Sequence, residues 1–207
     1  MNASIPTVYI VDDDFAVRDS LALLLGLQGF VTRVFASGEE FLAAYSPQWP
    51  GCLVLDLRMP GMSGLALQAA MAERGVKLPI VVITAHGDVA AARAMLTAGA
   101  LDFLEKPLEE SQLLTAIRAA LQCDAEDRRQ ALTIAQARQW IERLTPRERE
   151  VLDLVVAGKH NREIAAELGI SARTVEVYKA RSMEKLRVER LPDLIRLVLT
   201  VQAGAKP

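Results

Sequence analysis

Two periodicities divide the chain near its middle. In the first 121 residues, short continuous apolar runs alternate with stretches whose apolar residues recur every three or four positions. The first pattern is typical of strands buried on both faces, and the second is typical of helices. Five strands are predicted, at residues 7–11, 32–35, 52–55, 80–84 and 101–104. Five helices alternate with them, at residues 16–27, 37–45, 64–74, 88–98 and 109–121. Asp14 and Asp88 are the predicted N-caps of the first and fourth helices, and Ser37 with Glu40 predicts a capping box on the second.

Strands that alternate with helices predict an α/β domain, with a doubly wound, five-stranded parallel sheet that is covered on both faces. The crossovers are expected to be right-handed. Residues 122–143 then change character, because they are charged, rich in Ala and Gln, and free of Pro and Gly. We predict that the preceding helix continues through them as a long linker helix, which is either a solvated spacer or a dimer seam.

A purely helical pattern follows the linker. Thr145 precedes Pro146 and Glu148, which is the arrangement of a capping box with proline at the first helical position. Helices are also predicted at residues 161–168 and 172–186, around a turn that contains glycine, and at the end of the chain. Two short helices joined in this way predict a helix-turn-helix, whose second helix enters the major groove of DNA.

The length of 207 residues suits one large domain or two small ones, and 51% of the residues are hydrophobic, which is enough to bury a core. No apolar run approaches the roughly 20 residues of a membrane span, and the first six residues lack a signal-peptide pattern. Cys52 and Cys123 are too few for a disulfide framework or a zinc site. We therefore expect a cytoplasmic protein without a membrane partner.

Charge is distributed unevenly along the chain. Residues 1–121 hold 8 Lys/Arg and 13 Asp/Glu, a balance of −5, whereas residues 122–207 hold 16 and 13, a balance of +3. An acidic half suits a cation site, and a mildly basic half permits a polyanion partner. Together with the periodicities, this places a first domain at residues 5–121, a linker at residues 122–142 and a second domain at residues 143–204.

Polar side chains stand at the ends of four predicted strands. Asp12 and Asp13 follow the first strand, Asp56 the third, Thr84 the fourth and Lys106 the fifth. Because the carboxyl ends of parallel strands meet at one edge of a sheet, these side chains should converge there. Three adjacent carboxylates repel one another, and a divalent cation relieves the repulsion. Carboxylate oxygens with water and phosphate are the ligands that Mg²⁺ prefers.

The same residues predict phosphoryl chemistry. A carboxylate can act as a nucleophile and form an aspartyl-phosphate, and Asp56 is the candidate. Lys106 would bring a point positive charge to a phosphoryl oxygen, and Thr84 a short hydroxyl donor. The alternative is a strand-end ion pair between Lys106 and an aspartate, without chemistry.

The motifs that carry this site resemble the receiver domain of two-component response regulators, which has the flavodoxin-like, CheY-like fold. They are Asp12-Asp13, Asp56 followed by Met59-Pro60-Gly61, Thr84-Ala85 and Lys106-Pro107. The resemblance covers the whole first domain. It implies that Asp56 accepts a phosphoryl group from a sensor histidine kinase.

The resemblance also assigns roles to the other residues of the site. It implies Mg²⁺ held by Asp12, Asp13, Asp56 and the backbone carbonyl of Arg58. Thr84 and Lys106 would be the switch hydroxyl and the active-site lysine of that family. Phe103 occupies the position of the aromatic switch, although a strand phenylalanine is as often an ordinary core residue. His86 lies beside the predicted pocket and either influences access of water or is an ordinary loop histidine.

The second helix of the helix-turn-helix has two distinct faces. Helical spacing predicts that Val175, Tyr178, Ser182 and Leu186 pack inward. The candidates for DNA contact lie elsewhere on this helix, with one at the start of the preceding helix: Asn161, Arg173, Thr174, Glu176, Val177, Lys179, Arg181 and Lys185. Basic and hydroxyl side chains would position the domain on phosphates, while Glu176 could accept from a cytosine amino group and Val177 could contact a thymine methyl. The alternative is a helical module with a solvated face.

The second domain resembles the LuxR-type (NarL/FixJ) DNA-binding domain over about residues 140–204. The motifs are Leu144-Thr-Pro-Arg-Glu, Asn161-Arg-Glu-Ile-Ala, Leu168-Gly-Ile-Ser and Arg173-Thr-Val-Glu-Val. The last of them, with the long linker, is similar to the FixJ branch. Two departures concern DNA recognition, because Tyr178 stands where the family usually has histidine and Arg181 where it often has asparagine.

These observations predict a DNA-binding response regulator that is phosphorylated on Asp56, dimerises and regulates transcription. It would catalyse no reaction beyond its own phosphorylation and dephosphorylation. One alternative keeps the DNA-binding domain and makes the receiver a docking domain that is never phosphorylated. Another is a phosphatase of the haloacid dehalogenase type, but that family places its nucleophile after the first strand.

Overall fold

The structure, a computed structural model, describes residues 5–84 and 89–203. Its first part alternates strands and helices as the sequence predicts. The strands are β1 (Thr7–Val11), β2 (Val31–Phe35), β3 (Gly51–Asp56), β4 (Ile80–Thr84) and β5 (Asp102–Glu105). The helices are α1 (Phe15–Leu27), α2 (Gly38–Ala44), α3 (Gly64–Glu73), α4 (Val89–Thr97) and α5 (Glu110–Glu142). Four helices complete the chain: α6 (Pro146–Val156), α7 (Asn161–Leu168), α8 (Ala172–Lys185) and α9 (Leu191–Ala203).

All five strands form one parallel sheet in the order β2-β1-β3-β4-β5. The predicted doubly wound fold is therefore confirmed. Alternation along β1 shows how the strands fill both layers, because Ile10 packs with α1 and α5 while Tyr9 packs with α2 and α3. β3 is buried along its whole length, which is why its apolar run lacks alternation.

The predicted helix caps are formed to different extents. α1 is capped by Asp14, whose carboxylate accepts from the amide of Ala16 at 2.8 Å. The capping box predicted for α2 is only half formed. Ser37 accepts from the amide of Glu40, but the carboxylate of Glu40 accepts from Ala36 rather than from Ser37. The predicted cap of α4, Asp88, and the pocket candidate His86 lie outside the described residues.

The start of β3 requires glycine. Gly51 has a φ of +142°, and a Cβ atom there would lie 1.8 Å from the carbonyl oxygen of Thr7. Its amide donates to a carboxylate oxygen of Asp124 at 2.8 Å, and Asp124 is buried. Asp124 belongs to α5, which runs for 33 residues and confirms the predicted continuation of that helix.

The chain divides into two compact units after Asp127. In the second unit, Leu152 and Leu194 centre one apolar cluster, while Val151, Ile164 and Val175 centre another. The predicted capping box at the start of α6 is present, with bonds in both directions between Thr145 and Glu148. α7 and α8 form the predicted helix-turn-helix.

Candidate phosphoacceptor site and nucleic-acid interface

Four polar side chains stand at the carboxyl edge of the sheet, each placed there by the end of a strand. Asp12 directly follows β1, Asp56 and Thr84 are the last residues of β3 and β4, and Lys106 directly follows β5. Asp12, Asp56 and Thr84 are buried. Buried polar groups at the ends of apolar strands cost free energy unless they find partners, so their pairing defines the site.

Lys106 joins the two buried carboxylates. Its ammonium lies 2.6 Å from Oδ1 of Asp56 and 3.1 Å from Oδ2 of Asp12. The remaining oxygens accept from backbone amides two residues further along, Asp56 from Arg58 at 2.7 Å and Asp12 from Asp14 at 2.8 Å. Both carboxylates are therefore held in fixed orientations.

The charges of the site alter its proton affinities. Burial raises the pKa of Asp56, Asp12 raises it further, and the ammonium of Lys106 opposes both. For Lys106, burial lowers the pKa, but the hydrogen bonds and charges of Asp56 and Asp12 outweigh burial and raise it above its usual range. Lys106 therefore stays an ammonium, and any further positive charge placed beside Asp56 would stabilise the ionised form of its carboxylate.

The donor set of this edge suits a hard divalent cation only in part. Asp12 and Asp56 supply two buried carboxylates with one lysine between them, and their oxygens are the ligands that Mg²⁺ prefers. Asp13 is exposed at the same edge. Among the residues that the structure describes, no three carboxylate, histidine or cysteine side chains are gathered as a metal site.

Phe103 lies on β5 with 36% of its surface exposed, so it is not an ordinary core residue. Arg58 is also exposed, while its amide donates to Asp56. Thr84 lies buried at the end of β4, one strand from Asp56. The structure thus brings Asp12, Asp56 and Lys106 into direct contact and places Thr84 at the same edge.

In the second unit, α8 shows the two faces that its sequence predicts. Val175, Ser182 and Leu186 are buried, and Tyr178 packs half-buried against one of the apolar clusters. The candidates for base and phosphate contact that lie exposed on α8 are Arg173, Glu176, Val177, Arg181 and Lys185. Thr174 is half-buried, and its hydroxyl lies 2.8 Å from that of Ser171.

Two lysines on α8 have partners within the protein. Lys179 donates to the side-chain oxygen of Asn161 at 3.1 Å, which links α8 to the start of α7. Lys185 donates to Glu148 at 2.6 Å, and that carboxylate is buried. Lys185 was expected to reach a phosphate. Its ammonium instead neutralises a carboxylate of α6, so its part in DNA contact stays a prediction that this structure does not favour.

Comparison with known proteins identifies the family. The model described as "Response regulator receiver domain" matches residues 8–118, and that described as "Bacterial regulatory proteins, luxR family" matches residues 142–198. The chain belongs to the response regulators. With its two domains, this response regulator is a DNA-binding transcriptional regulator of a two-component system.

Relatives cover this response regulator from end to end. Transcriptional regulatory protein FixJ of Azorhizobium caulinodans is 44% identical over 207 residues, which is 100% of this chain and 97% of the relative. Response regulator protein TmoT of Ectopseudomonas mendocina is 41% identical over 206 residues, covering 100% and 94%. These relatives confirm the resemblance to the FixJ branch.

Solved structures agree with that assignment. The response regulator StyR superposes with a TM-score of 0.81 and 46% identity, covering 94% of this chain and 98% of that one. Full-length FixJ from B. japonicum gives a TM-score of 0.58 and 36% identity, covering 97% and 98%. Within the described part of this response regulator, no helix has both the length and the hydropathy to span a membrane.

Sequence reasoning missed three buried polar residues of this response regulator. The sequence places Asp124 only in the linker helix and Glu148 only in a helix cap, and it gives no role to Gln68. Each has a partner far along the chain, at separations of 73, 37 and 27 residues. Only the position of Glu148 next to an apolar helix face gave any local signal of burial.

Proposed function

We propose that Asp56 is the phosphoacceptor of this response regulator and that a sensor histidine kinase is the donor. The contact between Lys106 and Asp56 carries the proposal, because it places the only described ammonium of this edge on the proposed nucleophile. A carboxylate oxygen of Asp56 would attack the phosphorus of a phosphohistidine. The new P–O bond forms as the P–N bond breaks, and the imidazole leaves.

The residues around Asp56 are suited to a phosphoryl group. Lys106 would transfer its hydrogen bond from Asp56 to a phosphoryl oxygen, and Thr84 would supply a second donor. Asp12, Asp13, Asp56 and the backbone carbonyl of Arg58 would hold Mg²⁺. The ion, when bound, neutralises charge on the transferring phosphoryl oxygens. Lys106 would release Asp12 as it turns towards a phosphoryl oxygen, so that this carboxylate could serve as a cation ligand.

Phosphorylation is proposed to act through the elements beside the pocket. As Thr84 moves towards the phosphoryl group, Phe103 would turn inward and the surface of α4 and β5 would change. We infer that this change favours a homodimer, which places two copies of α8 on half-sites about one duplex turn apart. Because the target is DNA, we also place the protein in the cytoplasm.

Replacement of the phosphoacceptor tests this proposal. Asp56→Asn should abolish uptake of phosphate from acetyl phosphate with Mg²⁺, since the amide is no nucleophile, and DNA affinity should no longer rise with the donor. Intact-protein mass spectrometry and DNA titration measure the two effects. Asp14→Asn is the matched control, because asparagine still caps α1 and the same charge is removed from the same edge. Phosphate uptake by Asp56→Asn equal to that of the wild type would refute the assignment.

The DNA-contacting face is proposed to be the exposed face of α8. Arg181→Ala should weaken binding of a cognate DNA site by about 1–3 kcal/mol. If Arg181 contacts a phosphate, the slope of log affinity against log salt concentration should also fall by about one. Arg196→Ala removes the same charge from an exposed position on α9 and serves as the control. Equal losses of DNA affinity in Arg181→Ala and Arg196→Ala would mean that the overall charge of the domain, and not the position of Arg181, determines binding.

A further inference from the structure

Gln68 is a buried amide that connects two helices of the receiver. It lies on α3 with 5% of its surface exposed, and its Nε2 donates to the backbone carbonyl of Met95 at 3.1 Å. Met95 is fully buried near the end of α4. The same carbonyl accepts from the amide of Ala100 at 2.9 Å, so the glutamine holds the carbonyl at which α4 ends.

Only one half of this amide is satisfied. The Oε1 atom of Gln68 is buried and has no hydrogen-bond partner among the described residues. A buried acceptor without a partner is destabilising, whereas an apolar side chain of similar shape would carry no such penalty. Packing between α3 and α4 therefore does not explain glutamine at this position, and the bond to Met95 is its distinguishing contribution.

Gln68 lies one helical turn from the backbone of the phosphoacceptor. α3 begins at Gly64, whose amide donates to the carbonyl of Leu57 at 3.0 Å. A Cβ atom on Gly64 would lie 2.6 Å from the carbonyl oxygen of Asp56, so the helix and the phosphoacceptor are in direct backbone contact. A continuous path of contacts thus runs from Asp56 through the first turn of α3 to Gln68 and on to α4.

The end of α4 also has space beside it. A cavity of about 220 Å³ is lined by Gln68 and Met71 of α3, by Gly99 after α4, and by Leu101. Elements in close-packed surroundings can shift only where volume is free. α4 begins five residues after Thr84, so one of its ends follows the proposed switch hydroxyl and the other is held by Gln68.

We propose that Gln68 is a positioning residue for the phosphorylation switch: its hydrogen bond to Met95 holds α4 in the arrangement of the unphosphorylated protein and couples α4 to the backbone of Asp56. This inference rests on phosphorylation of Asp56. It assigns to the side-chain amide of Gln68 a share of the free-energy difference between the arrangements of α4 in the unphosphorylated and phosphorylated protein. Gln68 touches no reacting atom, so its effect is on the response and not on the chemistry.

The full-length variant Gln68→Met tests the proposal, because methionine keeps the length of the side chain and removes both polar atoms. Phosphate uptake from acetyl phosphate should match that of the wild type. DNA affinity without phosphate should rise, and the gain on phosphorylation should shrink by a factor of about 3 to 30. Hydrogen exchange should become faster in residues 93–101 and stay unchanged in α1.

Ile117→Val provides the matched control, since Ile117 is fully buried in the layer on the opposite side of the sheet. This variant lowers stability without touching α3 or α4, and its gain on phosphorylation should equal that of the wild type. The inference would be overturned if the gain in DNA affinity on phosphorylation of Gln68→Met stayed within about twofold of the wild-type gain. It would also be overturned if Ile117→Val lost as much of that gain as Gln68→Met. Absence of any gain in the wild type would instead refute the proposed function.

Discussion

Glu148 combines a charge with nearly complete burial, as only 2% of its surface is exposed. Burial alone would raise the pKa of this carboxyl. The hydrogen bond from Lys185 and those from Thr145 outweigh burial, so the pKa lies below its ordinary value. A carboxyl whose pKa is lower in the folded than in the unfolded state stabilises the fold above the unfolded pKa. That contribution is lost as the pH falls through the folded pKa.

This residue gives a pH-dependent prediction. Glu148→Gln keeps a residue that can complete the cap but removes the ion pair, and should cost the second unit about 1–3 kcal/mol near neutral pH. The difference from the wild type should shrink as the pH falls below the ordinary pKa of a glutamic acid, and it should vanish once the pH has passed the lowered pKa of the folded carboxyl. Urea unfolding followed by fluorescence of Trp140, which packs in this unit, measures it.

The exposed pair between Glu150 and Arg147 supplies the control. Glu150→Gln removes the same charge from the same helix, but an exposed ion pair contributes only about 0–1 kcal/mol. A stability difference for Glu148→Gln that stays constant from neutral to acid pH would contradict the role given to its charge.

At the scale of elements, the junction of β3 and α3 leaves no room for a side chain at Gly64. Gly64→Ala places a methyl group 2.6 Å from the carbonyl oxygen of Asp56, so the backbone of this proposed phosphoacceptor must move. We expect a loss of stability of about 1–3 kcal/mol and slower phosphate uptake. Unfolding and the rate of acetyl phosphate labelling check the two effects.

Gly26→Ala makes the same chemical change as Gly64→Ala, but the expected change in stability has the opposite sign. Gly26 is the second-to-last residue of α1, where an added Cβ would meet no atom within 4 Å. Gly26→Ala should therefore stabilise the receiver by about 0.5–1 kcal/mol, through the better helix propensity of alanine, and leave labelling unchanged. Similar effects of the two substitutions would show that space around the glycine is irrelevant.

Elements of this chain could be predicted from sequence because their signals are local. The apolar run before Asp56 and the caps at Asp14 and Thr145 are readable within a few residues. The half-formed capping box of α2 could not be predicted, because the sequence alone does not decide whether Glu40 accepts from the amide of Ser37 or from that of Ala36. The ion pair of Lys185 depends on a helix 37 residues away.

At the scale of the whole molecule, one buried hydrogen bond joins the segment after residue 121 to the first compact unit. The sequence predicts a receiver that ends at residue 121, whereas the first compact unit extends to Asp127. Asp124 lies in the added segment and accepts the buried amide of Gly51. A charged, Ala-rich run gives no sign of such a contact, because the same composition suits a solvated spacer.

Two fragments test where the receiver ends. Residues 1–127 should be more stable than residues 1–121 by about 1–3 kcal/mol, because the shorter fragment leaves the amide of Gly51 without its buried acceptor. Urea unfolding measures the difference. Asp124→Ala in the longer fragment should remove most of the advantage. If it does not, the apolar contacts of the added turn determine the boundary.

Most of the candidate site could likewise be predicted from the sequence. Strand ends and topology sufficed to bring Asp12, Asp56, Thr84 and Lys106 to one edge, since a parallel sheet leaves few alternatives. The exposure of Asp13 was not readable, because neighbouring aspartates in a turn point in different directions and only the folded loop fixes which enters the pocket.

The bridge that Lys106 forms between Asp12 and Asp56 has a further consequence. In the reaction proposed above, Lys106 already contacts the carboxylate that would react, so it would have to move towards the incoming negative charge of the donor. That movement would set a threshold against weak or poorly positioned donors, and the lysine would already lie beside the site when a well-positioned donor arrives.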